Sequence, residues 1–169
     1  MRVVLVLAAL LVGCGPAEPW VEVGTGTAGV FESIDDGDVL LAEAGSQGGR
    51  HVWVGMRADG VEPGSVSDAD AMRYGDRPRV DFRLEGPDGV YSLDVARYVA
   101  LDERGGALAS TGWLLPLRLY AELPEGWQST DWAAVQEDLE ERPFDLVVTL
   151  KDADGIALED RRSVFIDFP

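Results

Sequence analysis

Residues Arg79 to Glu85 alternate without a break: Val80, Phe82 and Leu84 on one side, Arg79, Asp81, Arg83 and Glu85 on the other. A strand turns successive side chains to opposite faces, so this pattern specifies a strand with one buried face and one wet one. The same period recurs where Leu115, Leu117, Leu119 and Ala121 alternate with Pro116, Arg118, Tyr120 and Glu122. It recurs again at Leu146, Val148 and Leu150, and at Val164, Ile166 and Phe168. A chain that repeats this pattern must pair its strands and bury their apolar faces together, which means an all-β protein.

Further strands are expected at Gly29–Ile34, Val39–Ala44, Arg50–Ala58 and Val90–Leu101. Turn signals separate them: Asp36-Gly37, Asp59-Gly60, Pro87-Asp88-Gly89, Gly105-Gly106 and Asp154-Gly155. Asp-Gly supplies the positive φ of tight turns. Pro116 suits an edge position or a bulge. Thr130–Arg142 reads as a short helix, capped by Ser129 or Thr130 and ended by Pro143, and Asp68–Asp76 reads as a loop. No internal repeat is evident. The expected fold is one antiparallel β-sandwich with one short helix.

The N-terminus carries a different signal. Arg2 precedes an apolar run from Val3 to Val12, followed by Gly13-Cys14. A basic start, a run too short for the ~20 residues that cross a bilayer, and a small residue at its end form an export leader. Leu11-Val12-Gly13-Cys14 resembles a lipobox, the processing motif of bacterial lipoproteins. That resemblance implies cleavage before Cys14 and lipidation of its thiol by diacylglycerol, whose acyl chains are palmitate-type. Residues 1–13 are then a signal peptide, 14–19 a short tether and 20–169 the β-sandwich domain. Two acyl chains on one thiol give stable anchoring. Cys14 is the single cysteine, so no disulfide braces the fold. The tether Gly15-Pro16-Ala17-Glu18-Pro19 extends at most about 17 Å, which keeps the domain near the membrane. By the same resemblance Gly15, rather than an Asp, favours the outer membrane of a Gram-negative envelope.

Charge narrows the partners. The chain has 14 Lys+Arg against 31 Asp+Glu, a net −17, and loss of Arg2 with the leader makes it −18. Nucleic acid is excluded, since its binding begins with basic contacts to phosphate. A polybasic role at an anionic lipid surface is excluded too. An acidic surface suits solubility, a cation or a basic partner.

The least generic stretch is Gly45-Ser46-Gln47-Gly48-Gly49-Arg50-His51-Val52-Trp53-Val54. It resembles a Q-G-G-x-H-V-W pattern of bacterial lipoproteins that also carry an upstream D-G-D, here Asp36-Gly37-Asp38. The pattern implies location but no chemistry. On a strand, Val52, Val54 and Met56 share one face; His51, Trp53, Gly55 and Arg57 share the other. His51, Trp53 and Arg57 form a candidate binding face, with an indole to stack on a sugar and a guanidinium to grip a carboxylate. The bland reading makes Gly48-Gly49 a turn or bulge and packs His51 and Trp53 at the sandwich rim.

Catalytic and metal motifs are sparse. His51 is the single histidine, so a His-rich zinc or copper site is excluded. Met56 and Met72 are too few for a methionine-rich copper site, and no G-x-S-x-G elbow occurs. Weak calcium candidates are Asp36 and Asp38 in one acidic turn and Asp152 and Asp154 in another, without EF-hand spacing. Trp113, Trp127 and Trp132 flank the helical segment, either sealing a sandwich edge or forming a partner patch. Leu146 to Phe168, strand–turn–strand, resembles the last hairpin of immunoglobulin-like and PKD-like domains, although the Cys…Trp…Cys core of antibody domains is absent. The expected function is a non-catalytic binding or structural module of the cell envelope, lipid-anchored, with no cofactor beyond the lipid and an envelope protein or glycan as partner. The alternatives are a calcium-stabilised surface module and a carboxylate-based hydrolase.

Overall fold

The computed structural model describes residues 18–26, 30–44, 50–64, 78–86, 89–93, 97–98, 101–104, 107–110, 115–118 and 142–167. Outside them lie the leader, Cys14, Gly45 to Gly49, the Asp68–Asp76 loop, Trp113, Trp127, Trp132 and all but the last residue of the expected helix. No helix occurs among the described residues.

Among the described residues thirteen strands follow in chain order: β1 (Trp20–Thr25), β2 (Glu32–Ser33), β3 (Val39–Leu41), β4 (Glu43–Ala44), β5 (Arg50–Asp59), β6 (Arg79–Gly86) and β7 (Gly89–Leu93). Then come β8 (Arg97–Tyr98), β9 (Leu101–Arg104), β10 (Ala107–Ser110), β11 (Leu115–Arg118), β12 (Phe144–Lys151) and β13 (Ala157–Asp167). They form two sheets. The first runs β2-β1-β5-β10-β9, with β4 and β11 also on β5; the second runs β3-β13-β12-β6-β7, with β8 also on β6. Every pairing is antiparallel except β3 with β13, which is parallel. The described residues are thus all-β in two sheets, consistent with a β-sandwich.

The alternation read from the sequence decides which face is buried. Val52, Val54, Met56 and Ala58 of β5 and Val21 and Val23 of β1 meet Val80, Phe82, Leu84, Leu146, Val148, Leu150, Val164 and Ile166 of the second sheet in one core. β6 is central to its sheet, with Val80, Phe82 and Leu84 opposite Leu150, Val148 and Leu146 of β12.

β13 begins six residues before Ser163, in the charged stretch Ala157 to Arg162. Alternation puts Asp160 and Arg162 on the same side as Val164 and Ile166. There they tie the two sheets together. Asp160 Oδ2 accepts the Val23 N–H at 2.9 Å, and Arg162 donates from Nη1 to Asp160 Oδ1 at 2.6 Å and from Nε to the Ile34 carbonyl at 3.1 Å. β2 pairs with β1 only at Gly24 and Thr25, so the Val23 amide has no strand partner on that edge. An inward carboxylate satisfies it and blocks the edge against a foreign strand.

Val147 is fully buried although alternation points it away from this core. Its register neighbours are Arg83 and Arg161, whose methylene stems flank it. Their heads are held by carboxylates: Arg83 by Glu85 at 2.9 Å and Glu159 at 3.4 Å, Arg161 by Asp145 at 2.8 Å and Glu85 at 3.0 Å. The Arg83 hydrogen bond, aided by Arg161, holds the Glu85 carboxyl below its ordinary 4.5 against the opposing effect of burial. A carboxylate whose pKa falls on folding stabilises the fold above its unfolded pKa and loses that contribution as pH falls through the folded one. Glu85→Gln is therefore expected to cost about 0.5–1 kcal/mol near pH 7 and almost nothing near pH 3, read from urea midpoints of both proteins at both pH values. An equal cost at the two pH values would show that the side chain's packing, not its charge, matters.

Candidate functional site

β5 displays His51, Trp53, Gly55 and Arg57 on the face away from the core, as its alternation requires. The strand brings the expected trio onto one face but not into one site. Trp53 and Arg57 are four residues apart, about 13 Å along a strand. Between them the sheet carries Gly24 opposite Gly55. A Cβ on Gly24 would run into the Phe31 ring and the Glu32 carbonyl, so this glycine gives Phe31 its seat on the sheet.

Arg57 is already engaged. Its Nε donates to Glu22 Oε2 at 2.6 Å and its Nη2 to Ser33 Oγ at 3.4 Å. The guanidinium lies 5.1 Å from the Phe31 ring centre and 5.9 Å from that of Trp20, within cation–π range of both. Burial pushes the Glu22 carboxyl up, but hydrogen bonds from Arg57 and Ser33 outweigh it and the net shift is downward. A ligand carboxylate would have to displace Glu22 from this grip.

Trp53 belongs to a second group. Its Nε1–H donates to Glu43 Oε2 at 2.9 Å, and the His51 ring meets it edge-on at 5.1 Å and 86°. Register explains the opening beside it. β1 leaves β5 at Gly24 opposite Gly55, while β4 joins β5 only at Glu43 opposite His51. Val52 to Val54 lie between these two pairings, where Thr25 reaches across with its hydroxyl to the Trp53 carbonyl at 2.7 Å. The gap opens as a cleft of about 260 Å³ lined by Trp53, Thr25, Glu32, Glu43, Val39 and Leu41, among others. Val39 and Leu41 are 61% and 54% exposed, flanking the buried Leu40. Among the described residues, no Lys, Arg, Ser or His lines the cleft.

The four aspartates divide differently. Asp36 Oδ1 accepts the Ser163 N–H at 2.9 Å, and the neighbouring Gly37 N–H donates to the Ser163 carbonyl at 2.7 Å. Asp38 Oδ2 accepts the Asp35 N–H at 2.9 Å, closing its own turn. Asp152 is buried and accepts from two amides, Ile156 at 2.7 Å and Glu62 at 3.2 Å, while Asp154 is exposed at the turn tip. The first turn meets β13 at Ser163 and the second precedes it at Ala157, about 20 Å away along the strand. They do not converge, and no group of three His, Cys, Asp or Glu that would hold a metal exists among the described residues.

Glu32, Glu43, Val39 and Leu41 carry no sequence signature of their own. Their meeting at Trp53 depends on the chain crossing from the second sheet at β3 to the first at β4, through the buried Ala42. No protein-family model, curated protein or solved structure matches the chain. The cleft beside Trp53 is the candidate site on its own geometry.

Proposed function

We propose that the protein is a non-catalytic binding module, tethered to a bacterial envelope by lipid on Cys14, with the cleft beside Trp53 as its binding site. The observation that carries this reading is the cleft's lining. It combines exposed Val39 and Leu41, the Trp53 indole and two carboxylates. Among the described lining residues the one hydroxyl, on Thr25, donates to a backbone carbonyl. Such a surface holds a partner, an envelope protein or a glycan, and offers no activated nucleophile. The lipobox Leu11-Val12-Gly13-Cys14 after the apolar run supports the anchor, with residues 1–13 as the cleaved signal peptide and the outer membrane as the favoured site. The two-sheet architecture and the long β12–β13 hairpin support an immunoglobulin-like sandwich for the anchored part.

Metabolic labelling in a bacterial host with an alkyne-bearing palmitate analogue tests the anchor. The wild-type chain is expected to take up label and sediment with membranes. Cys14→Ala is expected to lose the label while remaining full length, because cleavage follows lipidation. Label on the Cys14→Ala chain would overturn the assignment.

A further inference from the structure

We propose that the cleft beside Trp53 takes an extended, Lys- or Arg-bearing segment of a partner protein. This rests on the binding-module reading above and names its ligand class. The cleft, at about 260 Å³, is small for a drug-sized ligand and suits one or two side chains. Its lining fits a cation on an apolar stem. Methylenes of Lys or Arg lie along Val39 and Leu41, and the charged head meets the face of the Trp53 indole. Glu32 and Glu43 then supply charge-assisted hydrogen bonds, and among the described lining residues no cation competes for them. Asp167, the register partner of Leu41, adds another negative charge to the same edge.

The cleft also runs beside a strand with one free edge. Asp38 turns its carbonyl and Ala42 its N–H toward β13, so the peptide groups of Val39 and Leu41 between them point the other way. No strand among the described residues pairs with that side of β3. An extended segment therefore finds main-chain partners as well as side-chain contacts. The net charge of −17 steers a basic segment toward the protein and opposes a second copy of the chain. A neutral glycan would stack on Trp53 but would leave the two carboxylates without a role.

Calorimetric titration of the detergent-solubilised full chain tests this. The probes are a peptide alternating lysine with valine, the same peptide with glutamate for lysine, and chitotriose. Binding of the lysine peptide alone is expected, weakening in about 0.5 M NaCl as exposed charges are screened. Trp53→Leu and the double variant Glu32→Gln/Glu43→Gln are each expected to raise Kd about tenfold. Asp59→Asn/Asp154→Asn removes the same charge away from the cleft and is expected to change Kd less than about twofold. Should Trp53→Leu misfold by circular dichroism, the exposed Glu32 and Glu43 pair decides alone. Equal weakening by the distant pair would reduce the binding to diffuse attraction and overturn the proposal. So would absence of peptide binding, or chitotriose binding indifferent to salt and to the glutamate variants. Chitotriose binding of that kind would keep the binding module and change its ligand, and palmitate labelling reports on the anchor separately.

Discussion

Phe82→Ala is expected to destabilise the protein by about 3–5 kcal/mol, measured by urea unfolding. Phe82 lies in the middle of β6, the strand held between β12 and β7, and only 1% of its surface is exposed. Its register partner is Val148, also fully buried, and both project between the sheets. Truncation removes a ring that the two sheets cannot close around, because the ladders of β6 with β12 on one side and with β7 on the other fix the backbone. The cost is then the lost transfer free energy plus a retained cavity. Domains of this size are stable by about 5–15 kcal/mol, so the variant should sit near its unfolding limit. Phe82→Leu keeps most of the volume and is expected to cost less than about 2 kcal/mol. A Phe82→Ala cost below about 1 kcal/mol would mean that the sheets collapse onto the gap and that the core is far less rigid than its pairing implies.

Alternation made β5, β6 and β12 legible because each turns one apolar face to the core, although Val147 is buried on the other side of β12. The same rule fits β1, where Val21 and Val23 alternate with Trp20, Glu22 and Gly24, but two apolar residues beside a Pro-containing tether are too short a run to specify a strand by themselves. β13 shows where local reading stops. Its first half, Ala157 to Arg162, looks like a solvated charge run, and only the placement of β1 opposite it turns Asp160 and Arg162 into inward ties. The parallel pairing of β3 with β13 joins residues far apart in the chain and has no local signature.

The candidate site was legible by halves for the same reason. Trp53 and His51 stand out by type and by the face they share. Arg57 shares that face, but its partners Glu22, Phe31 and Trp20 come from β1 and the segment before β2, so the sequence does not reveal that its guanidinium is already held. The acidic turns mislead in the opposite sense. Carboxylates crowded at Asp36-Gly37-Asp38 suggest a cation, whereas two of them serve backbone amides left without a strand partner. What a turn carboxylate does depends on which amide the tertiary fold brings near it.

Asp152→Ala should accordingly be the most damaging polar substitution, costing about 2–4 kcal/mol, whereas Asp154→Ala should stay within about 0.5 kcal/mol. In the sequence the two residues look interchangeable, two positions apart in one acidic turn. In the fold Asp152 is 4% exposed and each of its oxygens closes a different connection. Oδ1 takes the Ile156 amide and shapes the β12–β13 turn, together with the Gly155 N–H to the Asp152 carbonyl at 3.2 Å and the Asp152 N–H to the Ile156 carbonyl at 3.0 Å. Oδ2 takes the Glu62 amide, ninety residues away in sequence, and ties this turn to the segment that follows β5. Alanine leaves both part-buried amides without their acceptor, which costs more than the two hydrogen bonds contribute. Asn keeps one acceptor and turns an N–H₂ toward one of the amides, so Asp152→Asn should fall between the two. If Asp152→Ala and Asp154→Ala instead shift the urea midpoint alike, the tie to Glu62 contributes nothing and the turn is held by its backbone alone.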